Sequence, residues 1–289
     1  MSSPRLALVV LLLAVTALAL PAGAGAVGLQ TYVSGVGDDA YDCTLLQPCK
    51  TWAGAISKTT AGGTISAVDS GGFGSVTITK SVTLDGAGHL ASSLAASTQG
   101  IIVNGAGINV VIKRLNIDAT GICTPATTPH GIRFLQGSSL TVQDVGIQGF
   151  RGAGISLEPT DGHGTVVVRD SVITNNCTAG VQAASPALSG DMTVHLKDNL
   201  LTGNATGVRA GAHSAVTLTS NTIVANTTPT ATEADGTLTS LGDNRIGGVT
   251  GTLGSMPAAP APGPGPGPST VPVPAPAPVV LPPVAKKPT

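Results

Sequence analysis

Apolar and polar residues alternate in short runs through the middle of this chain, and the runs recur. Five segments align: VVIKRLNID from Val110, LTVQDVGIQ from Leu140, VVVRDSVIT from Val166, VHLKDNLLT from Val194 and VTLTSNTIV from Val216. Each gives an apolar residue, a polar pair, a small or polar residue and a second apolar run. Ile112, Val142, Val168, Leu196 and Leu218 share one column, and Ile117, Ile147, Ile173, Leu201 and Ile223 share a second at the same offset. A third signal is Gly followed by a β-branched residue, at Gly100, Gly131, Gly154, Gly180 and Gly207. These glycines are roughly 23 to 31 residues apart, the spacing of a structural repeat. Alternation puts the apolar side chains of each run on one face, and β-branched residues favour strands.

A unit of three short strands cannot bury its own apolar face. Stacking one coil on the next buries both columns and pairs the strands in parallel. The pattern therefore predicts an all-β right-handed parallel β-helix, a solenoid. The competing antiparallel sandwich needs regular Asn-Gly or Asp-Gly hairpin turns. Asp161-Gly162 and Asp235-Gly236 do not recur with the repeat.

A solenoid needs covers at its ends. PCKTWAGAISKTTAGG, Pro48 to Gly63, reads as a short N-terminal capping helix with Trp52, Ala55 and Ile56 on one face and Gly62-Gly63 as its stop. Tyr32, Tyr41 and Trp52, the only Tyr and Trp residues, cluster in or beside this region. They supply bulk over an open end; a platform for carbohydrate is the alternative use. The expected organisation is a signal peptide over 1–26, a cap region over 27–63, the β-helix over 64–255 and a disordered Pro-rich tail over 256–289. The signal peptide rests on Arg5, the apolar run Leu6 to Leu20 and two A-x-A sites at Ala22 to Ala26. The tail cannot donate regular backbone hydrogen bonds and reads as an extended spacer.

Composition narrows the function. Charged residues make up 10% of the chain and the net charge is -1, so nucleic acid is not an expected partner. No segment after the leader is long and apolar enough to span a membrane. Four cysteines in an exported chain imply disulfides. Cys43 and Cys49 flank a short loop and are expected to pair, which leaves Cys123 and Cys177. That second pair lies about two coils apart, near 10 Å along the axis. It can close only if the insertion Thr120 to His130 folds back over a neighbouring coil. Localisation is expected to be secreted, periplasmic or at the cell surface.

The run from Thr31 to Gly86 carries YVS, a C-x5-C loop, K-T-W-A-G-A, S-G-G-F-G and V-T-I-T-K-S. It resembles the opening of bacterial exported proteins with right-handed parallel β-helix repeats, of the pectin-lyase-like superfamily. The resemblance implies the fold. Members that process pectin act on acidic polysaccharide; their lyases use Asp/Glu-bound calcium with an Arg or Lys base, and their hydrolases use paired carboxylates.

Two features of the chain match that chemistry in part. Arg114, Asp144, Asp170, Asp198 and Ser220 share one column, and Lys113, Gln143, Arg169, Lys197 and Thr219 share the column before it. A ladder of Asp144, Asp170 and Asp198 would suit calcium or acid/base work, and Lys113, Arg169 and Lys197 would suit uronate groups. The alternative reading, and the expected one, is turn chemistry. Asp tolerates unusual backbone conformations and falls between two strands in each copy that has it, with Asn199 and Asn221 continuing the turn one place on. The second feature is Asp161-Gly162-His163-Gly164, whose GHG resembles one element of the polygalacturonase signature. The N-T-D, D-D and R-I-K elements of that signature are missing, so the loop reads as a coil corner. His130 and His195 are far apart, with His195 alternating outward. Asn176, Asn204 and Asn226 begin N-x-T triplets that are expected to serve as turns.

The sequence therefore points to an exported non-catalytic β-helix, a binding or structural module with polysaccharide or cell-envelope components as partners. A lyase or glycosidase acting on acidic polysaccharide is the alternative, and calcium is expected only in that case.

Overall fold

The computed structural model describes residues 28–248, except 96, 121–122, 124–127, 162 and 187–191. Residues 1–26, expected as a signal peptide, and the Pro-rich segment over 256–289, expected as a disordered tail, lie outside the described residues. Within them, parallel strands form three sheets of nine, seven and eight strands, and each sheet takes one strand per coil. A representative coil runs Ser139–Gln143 in the first sheet, Gly146–Gln148 in the second and Ile155–Leu157 in the third, then returns to the first at Gly164–Arg169. This is the right-handed parallel β-helix that the pattern predicts.

The register follows the apolar columns. Val142 pairs with Ile112 on one side and Val168 on the other, and Val168 leads to Leu196 and Leu218. Ile117, Ile147, Ile173, Leu201 and Ile223 stack the same way in the second sheet. All ten are buried, each contributing about 1.5–3 kcal/mol of apolar transfer. Parallel pairing needs this, since a parallel sheet is stable only with its core face covered.

The repeated glycine has a packing reason. A β-carbon on Gly131 would sit 2.5 Å from the Gly154 carbonyl oxygen and 2.6 Å from a methyl of Ile147. Gly100, Gly154, Gly180 and Gly207 face the same pair of obstacles, the backbone of the next coil and the second-sheet apolar column. Glycine lets the chain turn into the third sheet while staying against that column.

The N-terminal cover is helix α1, Trp52–Lys58, capped by the Thr51 side chain on the Gly54 amide. Trp52 and Ala55 are buried and Ile56 is partly so. The helix ends at Lys58, before the expected stop at Gly62-Gly63, because Thr59–Ala67 is already a strand. That strand pairs in parallel with Gly28–Val33, so the residues expected as cap also open the first sheet. Trp52 is fully buried, edge-on to Phe73 at 5.1 Å between ring centres, and so offers no carbohydrate platform.

Disulfides join Cys43 to Cys49 and Cys123 to Cys177, with Cα atoms 4.6 and 5.4 Å apart. The second one shows that Cys123, in the insertion after the Asn116–Asp118 strand, does reach back over the coil of Cys177.

Candidate functional site

The corner between the first and second sheets carries the charged columns. Arg114, Asp144, Asp170, Asp198 and Ser220 all have left-handed backbone, with φ between 52° and 57°. Asp and Asn tolerate this better than most residues. The Asp170 amide donates to the Lys197 carbonyl at 3.2 Å, and the Asp144 and Asp198 amides make the same bond to the next coil. These residues turn the chain, as the turn reading expects. Their carboxylates are a separate matter. That of Asp170 faces the Arg169 guanidinium at 3.3 Å, and that of Asp198 faces the Lys197 ammonium at 3.6 Å. Both pairs are exposed, and neither carboxylate is tied to backbone.

The basic column is neutralised within the fold. Lys113 and Arg114 share Asp85, Lys113 at 3.2 Å and Arg114 through two bonds of 3.0 and 2.6 Å. Arg169 also donates to the Gln143 side-chain oxygen at 2.7 Å. Asp85 is buried, which by itself raises its pKa. The Ala87 amide, Arg114 and Lys113 outweigh burial and hold Asp85 below the ordinary 3.8. Asp85 lies in the register column of Lys113, and its opposite charge hid that relation in the sequence.

One place past the left-handed residue, the side chain enters the coil. The Asn199 side-chain oxygen accepts from the Ser171 amide at 3.0 Å, and its NH2 group donates to the Val168 carbonyl at 2.8 Å. Asn221 and Asn244 continue the ladder. The corner after the second sheet repeats the device: Asn175, Gly203 and Ala225 are left-handed, and Asn176, Asn204 and Asn226 form a second buried ladder. The three N-x-T asparagines are therefore interior hydrogen-bonding residues.

A groove of about 480 Å³ lies over the second sheet beside the charged corner, lined among others by His89, Arg114, Asp118, Asp144 and Asp170. It brings Asp144 and Asp170 to one surface but not Lys113, Arg169 or Lys197. Among the described residues, no three His, Cys, Asp or Glu side chains converge as a metal centre requires. The corner carboxylates, one per coil and two of them paired to cations, do not fit a calcium site. His163 and Asp161 of the GHG loop are exposed, and His195 projects outward from its strand.

The sequence did not single out the polar cluster on the third sheet. Glu158 accepts from Arg133 at 2.8 Å and from Ser156, and Ser156 in turn accepts from Gln182 at 2.9 Å. The His130 Nδ1 accepts from the Ala153 amide at 2.9 Å, which directs Nε2 toward Glu158, 3.8 Å away. Burial raises the Glu158 pKa, but Ser156, Arg133 and His130 hold it below 4.5; burial holds His130 below 6.5. Ser156 is fully buried, so no substrate reaches its hydroxyl. The cluster braces the sheet. Arg133, Ser156, Gln182 and Arg209 share one outward register column, and Arg209 with Glu233 repeats the Arg133–Glu158 pair. The residue type changes from coil to coil, which hid the column in the sequence.

A second and larger cavity, about 800 Å³, lies against the third sheet between helix α1 and the stretch Thr128–Pro129. Arg151 is the charged residue among its described lining.

Residues 60–228 match the model of the right handed beta helix region. The chain belongs to this right-handed β-helix family. The matched span holds both charged columns, the Glu158 cluster and Arg151, and it fits the pectin-lyase-like resemblance of the N-terminal run. No curated protein and no solved structure matches the chain. Within the β-helix family, fold does not fix activity, which has to be argued from the site.

Proposed function

We propose that the protein is a non-catalytic β-helix acting outside the cytoplasm as a binding or structural module, with polysaccharide or cell-envelope components as partners. The observation that carries this reading is the state of the charged columns. Lys113 is committed to Asp85, Arg169 to Gln143 and Asp170, and Lys197 to Asp198. A catalytic base must be free to reach its proton, and the three cations favoured by the sequence all have partners in the fold. Two disulfides support an oxidising compartment. A solenoid gives such a module a long, regular surface.

One observation favours the second reading, a lyase or glycosidase on acidic polysaccharide. The groove beside Asp118, Asp144 and Asp170 is open, and these carboxylates are not bound to backbone. Incubating the protein with a panel of acidic and neutral polysaccharides, with and without calcium, separates the two. Retention without new reducing ends or unsaturated products is expected. Depolymerisation that Asp170→Ala abolishes would overturn the proposal.

A further inference from the structure

The strongest unassigned feature is the cavity against the third sheet. Arg114, Arg133 and Arg169 each face a carboxylate, and Arg209, whose Nε makes no hydrogen bond, still has Glu233 at 3.5 Å. Arg151 has no ion pair or hydrogen bond among the described residues, and its Nε is buried without a partner. An unsatisfied buried donor on a permanent cation calls for an occupant.

The frame around Arg151 is fixed. Gly152 donates to the Pro129 carbonyl at 2.9 Å and Cys177 donates to the Phe150 carbonyl at 2.8 Å. Residue 151 is thus held between two coils. Ile56, Ile102 and Pro129 give the cavity aliphatic surface. Ser75, Thr77, Thr98 and Gln99 add neutral polar groups, with the Gln99 side-chain oxygen already accepting from the His130 amide. The volume suits a small molecule, and a lone guanidinium fork matches a carboxylate.

We propose that this cavity binds a small aliphatic carboxylate, with the Arg151 guanidinium holding the carboxylate and the Ile56 and Ile102 side chains covering its body. The site is separate from the charged corner and stands whether or not the corner binds polysaccharide.

Sodium butyrate tests it on the full chain, read by the thermal midpoint at constant ionic strength. Butyrate should raise the midpoint saturably. Butyramide, which lacks the charge, and glucuronate, a sugar acid, should each bind at least tenfold more weakly. Arg151→Gln should weaken butyrate at least tenfold, while Arg245→Gln, at an exposed arginine, should leave it unchanged. Should Arg151→Gln fail to fold, Ile102→Glu serves instead. It places a carboxylate at an outward position of the cavity and should abolish the butyrate response. The proposal is overturned by no saturable shift, by equal shifts from butyramide, by an unchanged response in a folded Arg151→Gln or Ile102→Glu variant, or by glucuronate binding less than tenfold more weakly than butyrate.

Discussion

Two columns run side by side along the corner after the first sheet, one residue apart in sequence, and they do opposite work. In the left-handed column, Asp144, Asp170 and Asp198 bond to the next coil through their backbone, and their carboxylates face solvent. In the ladder column, Asn199 and Asn221 are buried and bond to neighbouring coils through their side chains. Both residue types are polar turn formers, so residue type alone does not separate the two roles. The backbone does: the left-handed residue turns the chain, and the residue after it points inward. The second corner repeats the unit with Gly203-Asn204 and Ala225-Asn226. An Asp column that looks like an active site is thus one half of a corner whose other half carries the buried hydrogen bonds.

The largest effect should come from the ladder. Asn204 accepts from the Asn176 amide and donates to the Ile173 and Thr202 carbonyls, so Asn204→Ala leaves several buried groups unpaired. Denaturant unfolding should show a loss of about 3 kcal/mol or more. Asp198→Asn, in the other column, should cost less than about 1 kcal/mol, since it keeps a residue that tolerates the left-handed corner and loses one exposed ion pair. Equal losses would dissolve the distinction.

Asp85 sharpens it next, as a buried carboxylate that does serve through its side chain. Asp85→Asn should cost about 2 kcal/mol at neutral pH, below the range for fully buried pairs because Lys113 and Arg114 are partly exposed. Its folded pKa is depressed, so its contribution is present above 3.8 and lost as pH falls through the folded value. Stability profiles of the parent and Asp85→Asn should therefore converge in acid. Profiles that stay parallel would remove Asp85 from this role.

A smaller gain is expected at the second corner. Ala225 has φ of 52° without a polar side chain to ease it. Ala225→Gly should stabilise by about 1 kcal/mol in the same unfolding assay. Smallest of all is Asp170→Asn, within about 0.5 kcal/mol, since it removes one exposed ion pair and keeps a residue type that tolerates the left-handed corner.

The fold was legible because burial acts on every coil. Val142 and Val168 occupy equivalent sites and show it in the sequence, as do the glycines that admit the neighbouring coil. The turn role of Asp170 was legible for the same reason. Side-chain partners were not. Asp85 sits in a basic column with the opposite sign, and the Glu158 cluster draws on a column whose residue type changes from Arg133 to Ser156 to Gln182. The direction of Asn204 depends on the φ of the residue before it, a backbone property. The Arg151 cavity lies where helix α1 and the stretch Thr128–Pro129 flank the third sheet, and both occur outside the repeat. Periodicity reveals what each coil needs, and particular chemistry lies where the period breaks.

The most direct test of the corner's role replaces Asp144, Asp170 and Asp198 together by Gly, then measures the unfolding midpoint and the handling of acidic polysaccharide on one preparation. Glycine suits the left-handed corner, so the midpoint should hold or rise, and polysaccharide retention should match the parent. A variant that folds as well as the parent but loses retention or turnover would show that these carboxylates carry function, and would contradict their assignment as turn residues alone.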